Sequence, residues 1–242
     1  MRRISLVIPA FNEEALLPAL LDTVDAASQR YAFGAQSVEV IVADNASTDR
    51  TAHIALSRGC RVVRVEKRAI SAARNGGARV AEGKFLAFVD ADSLIHPESF
   101  NVIERALSTY GVIAGTTGVR PSRMSPALAI LVALAVPFRL AGLDSGVVFC
   151  RREDWQVVGG YDEEQLVSED IRFLLALKRL ARSRRQRLIR ARGAQAITST
   201  RKFDQHGDWR FLARMFAAPW LMLFRPKAFE RWVQRYWYED RT

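Results

Sequence analysis

Over residues 4–107, short apolar runs alternate four times with stretches of helical periodicity, and this rhythm limits the possible folds more than any other feature. The runs at 4–8, 38–42, 61–65 and 85–89 are rich in branched and aromatic residues, as buried strands are. After the first, Leu16, Leu17, Leu20, Leu21 and Val24 recur at helical spacing. Further helices are predicted through Leu56, over 70–81 and from Pro97 to 107, with Ser47 or Thr48 as cap of the second. Such alternation implies right-handed βαβ units and a mostly parallel sheet.

In open sheets of this kind, ligands bind beyond the carboxyl ends of the strands. Three of the four strands run into polar clusters there: Pro9-Ala10-Phe11-Asn12-Glu13-Glu14, Asp44-Asn45-Ala46-Ser47-Thr48-Asp49, and Asp90-Ala91-Asp92-Ser93. Asp90 and Asp92 on an extended chain point to one side, where a carboxylate pair can hold a hard divalent cation and leave room for water and phosphate. The plain alternative is an Asp-rich turn that caps the next helix. Three polar runs converging on one crevice favour a site.

Beyond Tyr110 the alternation loosens. Strands are predicted at 112–119 and 146–150, and an apolar segment at 127–138 reads as a buried helix, with an interfacial one as the alternative. An acidic, glycine-started loop reaches Asp170 ahead of a helix over 171–181. The run 178–192 carries many bases and no acid, and reads as a solvated helix end and loop. The composition, 49% hydrophobic and 26% charged, is that of a folded protein. Cys60 and Cys150 form no framework or metal spacing, which fits a reducing, cytoplasmic setting. The apolar piece after Met1-Arg2-Arg3 is too short for a signal peptide, and no run reaches the roughly 18 residues of a spanning helix. The net charge of +10 favours anionic partners.

Taken in order and spacing, Ile8 to Glu14, Val42 to Thr51, Ala73-Arg74-Asn75, Asp90-Ala91-Asp92 and Ser168-Glu169-Asp170 resemble the family 2 glycosyltransferases of the GT-A fold. The resemblance covers roughly residues 4–175. It implies an α/β, Rossmann-like domain over 1–203 with a mostly parallel central sheet, and a C-terminal helical extension over 204–242. It also implies transfer of one sugar from a UDP- or GDP-linked donor to an acceptor hydroxyl on a small molecule, glycan or lipid-linked chain, with inversion. Pro9, Ala10 and Glu13 would line the nucleotide pocket with Ala91, Asp44 would accept from the base, Arg74 would lie near base or diphosphate, and Asp90 would face the ribose. Asp92 would bind Mg²⁺ or Mn²⁺, with His206 as a candidate further ligand. Asp170 would be the general base, with Glu169 beside it. His53 and His96 read as structural or surface residues.

The chemistry needs such a set. A cation stabilises charge gathering on the diphosphate, and a hydroxyl attacks well only as a carboxylate takes its proton. Two departures from the family pattern stand out. Asn45 replaces the usual second Asp of the first acidic motif and is given no catalytic role. The Gln/Arg-x-x-Arg-Trp motif of processive synthases is not evident after Asp170, which points to single transfers. One rival is a sugar nucleotidyltransferase, although the loop Pro9 to Asn12 lacks that class's glycine-rich, basic character. Another is a basic nucleic-acid-binding module, which would leave the carboxylates unexplained, so no nucleic-acid partner is expected. The tail mixes Trp220, Trp232, Trp237 and Tyr238 with Arg and Lys. That mixture suits peripheral attachment to an anionic inner membrane face, or packing onto the domain.

Overall fold

The computed structural model describes residues 1–140, 146–164, 169–210 and 212–213, with backbone only for Phe138, Leu140, Lys202, Gln205 and His206. Of the extension expected over 204–242, residues 211 and 214–242 lie outside the described residues, as does the side chain of His206.

Seven strands form the main sheet. They are β1 (Ile4–Ala10), β2 (Val38–Asp44), β3 (Arg61–Arg64), β4 (Phe85–Phe88), β6 (Val112–Thr116), β8 (Val148–Arg151) and β9 (Arg187–Arg190), in the order β3-β2-β1-β4-β8-β6-β9. β8 runs antiparallel to both its neighbours, and the other pairings are parallel. A second sheet of three short strands, β5 (Ser93–Leu94), β10 (Ala196–Thr198) and β7 (Val119–Pro121), continues from the ends of β4 and β6.

Period-2 alternation along the strands feeds two cores. Ile4, Leu6 and Ile8 face α1 (Leu17–Gln29) and α4 (Ser99–Ser108), packing with Leu20, Leu21, Phe100 and Ile103. Val7, Leu86, Phe88 and Val148 face the other way, onto Phe173, Leu174 and Leu177 of α8 (Glu169–Ser183). Each fully buried side chain of this size contributes ~1.5–3 kcal/mol. The remaining helices are α2 (Thr51–Ser57), α3 (Ile70–Arg79), α5 (Pro126–Leu134), α6 (Val136–Leu140), α7 (Arg152–Val158) and α9 (Arg201–His206).

The structure corrects several expectations. The first strand does not stop at Pro9. Pairing with β4 ends at Val7 and Phe88, so the missing N–H of Pro9 falls where no strand needs it, and β1 continues to Ala10 beside β2. The strand expected over 112–119 is two strands in different sheets, broken at Gly118 with φ of +75°. Part of the basic run expected as loop is the edge strand β9.

The apolar segment expected as a buried helix is α5 and α6. In α5, Ala127 and Leu128 are buried, while Ile130 and Leu134 are 39% and 51% exposed. Its first turn packs, with the Ser125 hydroxyl accepting from Leu128 N at 3.3 Å, and Leu131 and Val132 further along are half-buried. No helix among the described residues is long and apolar enough to cross a membrane.

Candidate functional site

The loops after β1 and β2 are laced together by their own polar groups. Asn12 takes φ of +51°, donates from its N–H to Ser47 Oγ at 3.1 Å, and accepts from Thr48 N at 2.9 Å. Glu13 N donates to Thr51 Oγ1 at 2.8 Å, and Glu14 N to Asp49 Oδ2 at 3.1 Å. Neither Ser47 nor Thr48 caps α2, as the sequence had suggested. Asp49 accepts from Thr51 N at 2.9 Å instead. Burial opposes the charge on Asp49, but hydrogen bonds from Thr51 and Glu14 outweigh it and hold its carboxyl below the usual range.

Asp44, at the end of β2, is buried, accepts from Ser47 N at 3.2 Å and lies 3.6 Å from the Arg64 guanidinium. Asn45 is buried and donates both amide hydrogens, to Val65 O at 2.9 Å and Lys67 O at 2.7 Å. It pins the loop between β3 and α3. A carboxylate there would meet two carbonyls as acceptor against acceptor, which explains the departure from Asp at this position.

Arg74 organises the rest. A Cβ on Gly77 would strike the Val7 side chain, so the Gly76-Gly77 pair lets α3 settle close to the sheet. That depth leaves the Arg74 side chain only 4% exposed. Its Nη2 donates to Asp90 Oδ1 at 2.7 Å, and its Nη1 donates to Glu169 Oε1 at 3.0 Å and Asp170 Oδ1 at 2.8 Å. Burial alone would lower the Arg74 pKa, but the charges of Asp170 and Asp90 outweigh it and raise it well above the ordinary value. The guanidinium also stands 5.2 Å from the centroid of Tyr161, a ring stacked on Phe173 at 4.2 Å. One buried cation therefore joins the two acidic motifs.

Neighbouring Asn75 explains how the second motif arrives. Its Nδ2 donates to Tyr161 O, and its Oδ1 accepts from Tyr161 N, each at 2.8 Å. Gly159 and Gly160, with φ of +80° and +76°, end α7 and turn the chain into this contact. Glu169 and Asp170 then occupy the first turn of α8, not a loop as expected, where the helix dipole favours negative charge.

Asp90 and Asp92 also differ from expectation. They lie on a turn closed by Ser93 N donating to Asp90 O at 3.1 Å, not on extended chain. Both nevertheless border one cleft, with Pro9, Ala10, Glu13 and Ala91. Asp44, Arg74, Glu169 and Asp170 do not line that cleft; Arg74 adjoins it through Asp90 and brings Glu169 and Asp170 with it, and Asp44 lies opposite Ala10 in the β1–β2 register. Phe11, Asn45, Ile70 and Ala73 also line it and were missed. An aromatic residue at the mouth of the first strand was the available signal for Phe11, over whose ring Arg68 lies at 4.0 Å. Arg201 was also missed. It donates to both Glu13 oxygens at 3.3–3.4 Å, while Ser199 N donates to Asp92 O at 3.0 Å. The chain leaving β10 thus closes against the cleft.

Arg74 faces three carboxylates, Asp90, Glu169 and Asp170. Among the described residues no group of three or more His, Cys, Asp or Glu is placed to hold a metal. A hard cation at Asp92 would have to complete its shell with water and ligand oxygens, as Mg²⁺ does with phosphates. The donor set fits such a shared site.

A doubly wound α/β domain with a carboxylate-bordered cleft at the strand ends defines the class: an α/β protein with a ligand crevice beyond the carboxyl ends of its strands. The chain belongs to glycosyl transferase family 2, whose pattern matches residues 5–126, and it has the GT-A fold. The mannosyltransferase PcManGT from Pyrobaculum calidifontis, solved with GDP-Man and Mn²⁺, superposes with a TM-score of 0.64 at 20% identity over 81% of this chain and 57% of that one. Glucosyl-3-phosphoglycerate synthase from Mycobacterium tuberculosis, solved with Mn²⁺, UDP and glucosyl-3-phosphoglycerate, gives 0.59 at 22% over 91% and 79%. An undecaprenyl-phosphate 4-deoxy-4-formamido-L-arabinose transferase of Aeromonas hydrophila is 34% identical over 121 residues, covering 47% of this chain and 36% of that protein. The chain spans 21–36% of the length of the first curated relatives it matches.

Proposed function

We propose that the protein transfers a single sugar, with inversion, from a UDP- or GDP-linked donor to an acceptor hydroxyl. The observation that carries this reading is Arg74, which links Asp90 of the first acidic motif to Glu169 and Asp170 of the second. The reaction needs one acidic group near the leaving diphosphate and another across the sugar carbon. Arg74 holds two such groups in one arrangement.

In this reading Pro9, Ala10, Glu13 and Ala91 wall the nucleotide pocket, Asp44 accepts from the base, and Asp90 faces the ribose. Asp92 would hold Mg²⁺ or Mn²⁺, and His206 is a candidate further ligand. The metal, when bound, offsets charge gathering on the diphosphate. Asp170 takes the acceptor proton. Arg74 fixes that carboxylate's orientation through Oδ1 and leaves Glu169 alongside. A positioned general base of this kind is worth about 10²–10⁴ in rate.

The domain spans 1–203, and the acceptor is a small molecule, a glycan or a lipid-linked chain. The aromatic and basic composition of 214–242 supports peripheral attachment to an anionic membrane surface on the cytoplasmic side. Free nucleoside diphosphate, measured across a panel of sugar nucleotides with Mn²⁺ and an acceptor extract, tests the reading. Turnover of a UDP- or GDP-sugar is expected, and release of pyrophosphate in its place would identify a nucleotidyltransferase.

A further inference from the structure

Between Ser125 and Arg139 the chain carries no polar side chain, and α5 and α6 are built from this run. Pro126, Ala129, Ile130, Ala133, Leu134 and Pro137 are exposed. They fall at i, i+3, i+4, i+7, i+8 and i+11, which is one continuous stripe along a helix. A surface helix turns polar residues outward, and one that is apolar all round is normally covered. The run is too short to cross a bilayer, which takes about 20 residues.

The stripe starts where the end of the described chain is tied down. Arg123, just ahead of the Ser125 cap, donates to Asp204 Oδ1 at 2.6 Å and to the two oxygens of Asp208 at 2.8 and 2.9 Å. Beside it, the hydroxyls of Ser122 and Thr200 share a hydrogen bond of 3.1 Å. Beyond Asp208 the described residues are helical, and Leu212 is only 6% exposed, so this part of the chain still packs on the domain.

The residues that follow match the stripe in chemistry and in reach. Between Arg214 and Arg225 the sequence has no charge and carries Phe216, Trp220, Leu221, Leu223 and Phe224. Met215 is seven residues from Asp208, and Ile130 is seven from Arg123, so both apolar runs lie at equal chain distance from one ion pair. The run 215–224 reaches about 15 Å if helical and about 33 Å if extended, while the stripe from Pro126 to Pro137 is about 17 Å long at helical rise. A segment tethered this closely has an effective concentration in the millimolar range, which a second copy in dilute solution does not match.

We propose that residues 215–224 of this chain dock on the exposed stripe of α5 and α6 and cover it. The basic and aromatic residues from Arg225 onward stay available to the membrane attachment proposed above. The docking is independent of the transferase reading, because its test uses neither donor nor acceptor.

Ile130→Cys is placed in the full-length chain, and its labelling by a maleimide is compared, without vesicles, with that of Leu56→Cys on α2. Ile130 is 39% and Leu56 60% exposed, and the native Cys60 and Cys150 are buried. Docking predicts labelling at Ile130→Cys about tenfold or more slower than at Leu56→Cys, as for a face open less than about a tenth of the time. Adding Leu221→Asp/Leu223→Asp should restore the rate. In Ile130→Cys/Leu221→Cys a short bis-maleimide should join the two thiols within one chain, read by peptide mass. This variant adds no charge and tests the contact even where the aspartates disturb the fold. Labelling as fast as at Leu56→Cys, or no cross-link within one chain, would overturn the proposal. Protection lost on dilution would assign the cover to a second copy, and protection seen only with phosphatidylglycerol vesicles would assign it to the membrane. Either result would overturn it as well.

Discussion

Replacing Arg74 with Met tests whether one buried cation holds the two acidic motifs together. Methionine keeps the apolar stem of the side chain and removes the guanidinium with its charge and its donors. Glu169 and Asp170 would then stand 17% and 16% exposed with their shared cation gone. Asp90 is 54% exposed and mostly screened by water, so it adds little. Breaking a buried ion pair from one side costs about 3–5 kcal/mol, because the partner charge is stranded. Each kcal/mol moves the melting temperature of a chain this size by about 2–4 °C, so the variant should melt roughly 6–20 °C lower. Arg74→Lys should fall between the two, since one ammonium cannot fork from Asp90 to the pair on α8. Thermal and urea melts followed by circular dichroism measure both. A Met variant that melts within about 2 °C of wild type would refute the reasoning, because a shift that small corresponds to under about 1 kcal/mol.

Three further outcomes follow from the same geometry. Asp170→Asn should leave donor affinity nearly intact and lower turnover by about 10²-fold or more, measured by steady-state kinetics; lost donor affinity would move Asp170 to the nucleotide site. Asn45→Asp should destabilise the fold by about 1–3 kcal/mol, since two buried carbonyls lose their donors; an unchanged melt would show that the loop after β3 is held otherwise. The pH dependence should carry a contribution from Glu104. Burial opposes its charge, but hydrogen bonds from Arg3 and Tyr31 outweigh that and hold its pKa below the ordinary 4.5. Its contribution is therefore fully present above about pH 4.5 and lost as pH falls through the lower folded value. Glu104→Gln should flatten that part of the acid limb in urea melts taken across pH, and an unchanged limb would assign it to other carboxylates.

The first four strands were legible because each is a compact apolar run ended by polar or glycine-rich chain. The direction of β8 was not, since residue composition does not distinguish a parallel from an antiparallel neighbour. β5, β9 and β10 escaped notice for another reason. They are two to four residues long, and β9 carries Arg at both ends, so neither length nor periodicity marks them. At the site, Pro9, Ala10, Glu13, Asp90, Ala91 and Asp92 from the loops after β1 and β4 border one cleft, while Asp44 after β2 lies outside its lining. What the sequence hid was Arg74's partners, 16 and 95–96 residues away, because position along the chain does not show which side chains meet across the fold. The apolar segment of α5 misled in the opposite sense, since hydrophobicity alone does not say which of its residues are buried, and Ile130 and Leu134 are exposed.

The central claim is a donor site shared between Asp92, a divalent cation and a nucleoside diphosphate. Calorimetry of UDP and GDP with and without Mn²⁺, on the wild type and Asp92→Asn, addresses it most directly. The account predicts that at least one of the two nucleotides binds the wild type only with Mn²⁺, and that the variant loses this metal dependence. Binding that ignores Mn²⁺ in both proteins, or no binding of either nucleotide, would contradict it.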